Sequence, residues 1–183
     1  MSTGTEPGPA DVIAFWQAAG REKWFKKDAA FDQEITERFA ALHAEAAAGK
    51  LQDWDATAEG ALALILILDQ FSRNMHRGTP GAFAQDERAA AIATKAIDAG
   101  FDQAGPAELR AFFFLPFMHS ERIADQERCV ALCHAFTPAN LSYAREHEHI
   151  IRRFGRFPHR NPILGRTTSP AEQAFMDGGG FAG

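Results

Sequence analysis

A chain of 183 residues is long enough for one domain with its own core, and 46% apolar residues exclude a disordered chain. A net charge of −5 argues against general affinity for nucleic acid or for membranes, and no apolar run approaches the ~20 residues that span a bilayer. The charge is uneven: residues 1–148 carry 14 Lys and Arg against 22 Asp and Glu, whereas residues 149–171 carry five arginines and no acid.

Residues 1–8 are rich in Gly, Pro, Ser and Thr and are expected to be flexible. They lack the basic and apolar regions of a secretory signal, so a cytoplasmic location is expected. Pro9–Ala19 reads as a first helix with Val12, Ile13, Phe15 and Trp16 on its apolar face and Gly20 as its stop. Asp28 starts a longer helix over Ala29–Ala48, where Phe31, Ile35, Phe39 and Leu42 recur at helical spacing and Gly49 closes. Leu51–Asp55 is a connector anchored by Trp54.

Thr57 begins a third helix. Its centre, Ala61–Leu68, is apolar on every side and so reads as fully buried, and it continues into Asp69–Asn74. After a turn at Gly78–Gly81, Ala82–Ala99 is an alanine-rich helix suited to close packing. Pro106 opens a helix over Ala107–Met118, which Pro116 bends or ends. Asp125–Phe136, Ala139–Phe154 and Ser169–Met176 complete the helices, and the Gly-rich residues 178–183 are expected to be flexible. The fold class is therefore all-α: a single domain over residues 9–177, with about eight antiparallel helices in a tetratricopeptide-like array. The 16 phenylalanines, against one tyrosine, suit a core that has no polar atoms to satisfy.

Polar groups at the ends of apolar helices point to a site. Asp69 follows eight apolar residues, and a buried carboxylate needs a partner, which Arg73 at i+4 can supply. Gln70 and Asn74 extend this stripe. His119-Ser120-Glu121 follows the proline-bent phenylalanine helix and is suited to proton transfer. Glu146 and His149 have the Glu-x-x-His spacing of carboxylate-bridged metal bundles, but no second such motif accompanies it, and no metal or cofactor is expected. His147 on the same helix points toward the interior instead. Cys129 and Cys133, one helical turn apart, read as two small buried thiols in a reducing compartment.

The segment Phe154-Gly155-Arg156-Phe157-Pro158-His159-Arg160-Asn161 carries the excess positive charge, together with Leu164-Gly165-Arg166. Phe154 and Phe157 anchor it, while Arg156, His159, Arg160, Asn161 and Arg166 present donors that match carboxylate or phosphate oxygens. Their partner is either a ligand or a carboxylate of the same chain, Asp69 or Glu121.

These motifs, with Leu68-Asp69-Gln70-Phe71-Ser72-Arg73-Asn74, Leu115-Pro116-Phe117-Met118-His119-Ser120-Glu121, Asp125-Gln126 and His147, resemble a bacterial family catalogued as domain of unknown function 924. The resemblance runs from Phe15–Trp16 and Trp24–Phe25 to about Phe175. Ser72 departs from it, since the family usually has proline there. The resemblance implies a tetratricopeptide-type helical domain and supplies no reaction.

Three functional readings follow. In the first, Asp69, Gln70, Arg73, Asn74, Arg156, Arg160, Asn161 and Arg166 hold a small anionic ligand, and His119, Glu121, His147 or His159 supplies acid–base chemistry. In the second, the helices form a scaffold for an acidic peptide or protein partner. In the third, the polar cluster is a purely structural ion lattice. Nucleophile-elbow, phosphate-loop and zinc spacings are all missing from the sequence.

Overall fold

Capping side chains and glycines set several helix ends in the computed structural model, which describes residues 7–183. Most of the segment expected to be a flexible N-terminus, residues 1–6, lies outside the described residues. All regular structure among the described residues is helical. The chain, expected as one domain, is described as two compact units: one reaches to residue 77 and includes 81–116, and the other comprises 78–80 and 117–183.

The first unit opens with α1 (Pro9–Trp24), where the Gly8 N–H donates to Asp11 Oδ2 at 2.8 Å. The expected stop at Gly20 is a kink instead: its φ of 70° breaks the helical path, and a further turn carries Trp24 inward. There the Trp24 indole N–H donates to the Trp16 carbonyl at 2.7 Å. Asp28 caps α2 (Ala29–Ala47) by accepting from the Ala30 and Phe31 N–H groups. Phe31, Ile35, Phe39 and Leu42 are all buried, as their spacing requires.

Thr57 Oγ1 accepts from the Gly60 N–H and starts α3 (Ala58–Ile65). Gly60 lies so close to the Trp54 backbone that any Cβ would collide with it, so the connector packs flat on the helix. Every residue from Gly60 to Ser72 is buried. The helix does not continue as a regular α-helix: Leu66–Phe71 forms a π-turn before α4 (Ser72–Met75). α3 packs against α1 and α5 (Asp86–Asp98), and the π-turn packs against α2. Small residues Ala89, Ala93 and Ala96 form the buried face of α5.

The aromatic residues meet around α1. Trp16 stacks on Trp24, Phe39 lies 5.0 Å from both Phe15 and Phe71, and Phe112 stands edge-on to Trp24 at 5.0 Å. The helix expected over Ala107–Met118 is divided. Residues Ala107–Phe113 form a 3-10 helix, and α6 (Leu115–His119) follows. An α-helix running through Pro116 would lack one backbone hydrogen bond and force the proline ring against the Phe112 carbonyl. Restarting at Leu115 puts Pro116 in a first turn, where no N–H is needed.

In the second unit α7 (Ile123–Phe136) and α8 (Leu141–Phe154) form a hairpin across a short turn. α8 is strongly amphipathic, burying Ala144, His147, Ile150 and Ile151. Gly155 in the left-handed conformation ends it, and its N–H donates to the Ile151 carbonyl at 2.8 Å. A 3-10 turn at Pro158–Arg160, the short α9 (Asn161–Leu164) and α10 (Pro170–Asp177) follow. Ser169 and Glu172 form the capping box of α10. No helix among the described residues is long and apolar enough to cross a membrane.

Candidate functional site

The polar residues expected at a site fall into a network within each unit. In the first unit Asp69, fully buried, sits inside the π-turn. Its Oδ1 accepts from Arg73 Nη1 at 3.0 Å and its Oδ2 from Gln70 Nε2 at 2.6 Å. Arg73 also reaches the Asp69 carbonyl and grips both carboxylate oxygens of Asp86, at 2.9 and 3.1 Å. Burial works against the Arg73 charge, but Asp69 and Asp86 outweigh it and raise its pKa further. Asn74 turns away to Asp32 at 2.7 Å, where Arg77 is also paired at 2.8 Å.

Ser72, within the same buried stretch, is doubly hydrogen-bonded. Its hydroxyl donates to the Leu68 carbonyl at 2.7 Å and accepts from His43 Nε2 at 2.8 Å. Burial, and then the neighbouring His76, push the His43 pKa down.

In the second unit Glu121 is the centre. Arg166 grips it in a fork, Nη1 to Oε2 at 2.9 Å and Nη2 to Oε1 at 3.0 Å, and the Phe157 N–H adds a third bond at 2.9 Å. Burial alone would raise the Glu121 pKa, but these donors and the Arg160 charge reverse the shift and hold it below the ordinary value. Glu121 is therefore held as an anion. The loop that carries it is fixed from α7. Gln126 Nε2 donates to the Met118 and Ser120 carbonyls at 2.8 and 2.6 Å, and Asp125 accepts from the Ser120 hydroxyl at 2.6 Å.

The arginine segment is docked through its aromatic residues. Phe157 is fully buried, and the Arg160 guanidinium lies 4.6 Å from its ring centroid. Arg160 is itself buried and donates to the His119 carbonyl at 2.9 Å. Arg156 pairs with buried Glu172 at 2.6 and 2.9 Å and donates to the Thr167 carbonyl. Arg156, with the Ser169 N–H and Asn161, holds the Glu172 pKa far below the usual carboxylate range despite burial. Asn161 is fully buried, and its amide also reaches Thr168 at 3.4 Å.

His147 and His159, both in this unit, share aromatic neighbours. His147 Nδ1 donates to the Tyr143 carbonyl at 2.8 Å, which leaves Nε2 as the basic nitrogen of the neutral ring. His147 and His159 lie 5.4 and 5.7 Å from the Phe157 ring. Glu146 and His149 are exposed on the other side of α8, and no group of three His, Cys, Asp or Glu suited to a metal occurs among the described residues. Cys129 and Cys133 are buried with their sulfurs 3.9 Å apart. The hydrogen bond to Cys133, together with burial, raises the Cys129 pKa.

A surface depression of ≈ 390 Å³ adjoins Glu121 and is lined also by Ile123, Ile151, Arg152 and Gly155. Arg152 contributes a half-exposed guanidinium, paired with Glu127 at 2.7 Å and with Glu148 at 2.8 Å. Sequence reading assigned no site role to Arg152, Asp86, Asp32 or Glu172. Glu172 had a signal, the Ser-x-x-Glu capping box, but that signal accounts for a helix start and does not disclose a second partner. Asp86 and Asp32 had no local signal, since their partners lie 13 and 45 residues away.

An all-helical chain with these motifs defines a family rather than a reaction. Residues 12–180 match the family described as bacterial protein of unknown function, DUF924, and the chain belongs to that family. It is similar to the solved structure of protein of unknown function ATU0120 from Agrobacterium tumefaciens, with 48% identity, a TM-score of 0.90, and coverage of 93% of this chain and 97% of that one. No curated protein matches it.

Proposed function

We propose that the protein binds a small anionic ligand, bearing a carboxylate or a phosphate, at the depression between Arg152 and Glu121, with acid–base chemistry available from the histidines of the same unit. The observation that carries this reading is the unequal commitment of the arginines. Arg73, Arg156 and Arg166 are held by partly or fully buried carboxylates, and Arg160 is buried on Phe157 and the His119 carbonyl. Arg152 is the most exposed of this group, at 52%, and one of its two pairs lies wholly at the surface, since its partner Glu127 is 53% exposed. Exposed pairs contribute roughly 0–1 kcal/mol, so an incoming anion can displace one. The apolar floor of Ile123 and Ile151 suits a ligand with a hydrocarbon body, and ionised Glu121 suits a donor on that ligand.

Titration calorimetry with inorganic phosphate and with succinate tests this. The wild type should bind one of them, and Arg152→Ala should weaken binding at least ~10-fold without unfolding the protein. Binding by neither probe, or equal binding by the variant, refutes the reading.

The purely structural reading draws support from the same pairing, because Glu121 and Glu172 already satisfy Arg166 and Arg156. The scaffold reading needs arginines exposed along a tetratricopeptide-like groove, and the commitments of Arg160 and Arg166 count against it. A cytoplasmic location is supported by the two buried cysteines, which suit a reducing compartment.

A further inference from the structure

The Gly-rich residues 178–183, expected to be flexible, are docked on two histidines of the second unit, His147 and His159. The Gly178 and Gly179 N–H groups donate to the Ala174 and Met176 carbonyls, closing α10, and the Gly180 N–H donates to the Phe175 carbonyl at 3.0 Å. Gly179, with a φ of 82°, turns the chain back. Phe181 then stands edge-on to His147 with ring centroids 4.5 Å apart, and to His159 at 5.1 Å. With Phe157 it completes a cage of two phenyl rings and two imidazoles. Phe181 also packs on the Ile150, Ile151 and Phe157 cluster. Ile151 belongs to that cluster and also lines the ligand depression, so the cluster on which Phe181 packs shares one residue with the site.

We propose that residues 178–183 are a strap that shields His147 and His159, and that release of Phe181 joins those imidazoles to the anionic site; the second part rests on the ligand reading given above. The closed strap has features of an opening element. Phe181 is only partly buried, and the residues after it are exposed. Three consecutive glycines lose more backbone freedom on ordering than any other residues would, which favours the released state. Segments with few buried apolar contacts open at low free energy. A pocket that is competent only when open binds more weakly by the fraction of time it is open, so removing the strap tightens binding.

The test uses the full chain and two variants. Phe181→Ala removes the ring. Gly180→Ala leaves the ring in place but puts a Cβ 2.5 Å from the Phe175 ring and 2.6 Å from its carbonyl oxygen, so the strap must move. Both are treated with diethylpyrocarbonate, and modification is followed at each histidine by peptide mass spectrometry, with exposed His134 and His149 as internal references. Both variants should raise modification at His147 and His159 about tenfold relative to the references, and should bind inorganic phosphate more tightly than the wild type. Unchanged modification in both variants overturns the strap. Increased modification with unchanged phosphate affinity overturns its link to the ligand site. Absence of phosphate binding in the wild type and in Phe181→Ala alike is a failure of the ligand reading, and the modification result still decides the strap.

Discussion

The Asp69 network and the Glu121 network use the same chemistry in opposite settings. Asp69 is fully buried in the π-turn that follows an apolar helix, and its arginine is shared with a second carboxylate, Asp86. Glu121 sits on a loop, partly exposed, and its arginine comes from another loop 45 residues away. A buried ion pair is weak evidence for net stability, yet removing one partner leaves an uncompensated charge. The first network is therefore expensive to break and poorly placed to exchange partners. The second borders solvent, a depression and an exposed arginine, and is where a ligand can compete.

The largest effect should come from Arg73→Ala, which strands the Asp69 carboxylate. Urea denaturation should show a loss of about 3–5 kcal/mol, and Asp69→Leu combined with Arg73→Met should recover most of it. If the single variant is as stable as the wild type, Asp69 is not dependent on its arginine and the contrast between the networks collapses. Ser72→Ala should cost less, about 1–3 kcal/mol, because buried His43 loses its acceptor and the Leu68 carbonyl its donor. A neutral outcome would mean that both groups find other partners.

Acid should act on the second unit through Glu121 and Glu172, whose folded-state pKa values are depressed. The unfolded chain takes up these protons first, near its ordinary pKa of about 4.3. The stability they contribute is complete above that value and is lost as pH falls through the folded-state values. His43 acts in the same sense, because its lowered pKa means that the unfolded chain binds its proton first as pH falls through about 6.5. Thermal melts from pH 7 to pH 3 should fall steadily, and Glu172→Gln should flatten the acidic limb. An unchanged limb would show that the Arg156 pair does not set it. The smallest effect is expected for Arg152→Ala, with little shift in the denaturation midpoint, since its guanidinium is half exposed and its Glu127 pair lies at the surface.

Helix positions were largely legible because caps and periodicity are local. Asp28, Thr57, Gly155 and Ser169 act where their residue types suggest, and the spacing of Phe31, Ile35, Phe39 and Leu42 gives the buried face of α2. The Asp69–Arg73 pair was legible for the same reason, being one turn apart on one helix. The π-turn was not, because a run buried on every side has no apolar stripe whose period could reveal it. The 3-10 form of Ala107–Phe113 was hidden likewise behind consecutive phenylalanines. For the arginine loop, sequence narrowed the partner of Arg166 to a ligand, Asp69 or Glu121, and long-range geometry selected Glu121. Phe181 looked incidental, since nothing in a glycine-rich stretch indicates that its one aromatic ring is docked.

The π-turn also acts as a register device. An α-helix advances about 100° per residue, so one residue more or less in a helix rotates everything beyond it by that angle. Deleting a residue from Leu66–Phe71 to restore a regular helix would swing Arg73, Asn74 and Arg77 together, away from Asp86 and Asp32. Three ion-pair and hydrogen-bond partnerships would be lost through a change that alters none of the residues that make them. This stretch should therefore tolerate substitution among apolar side chains far better than any change in its length.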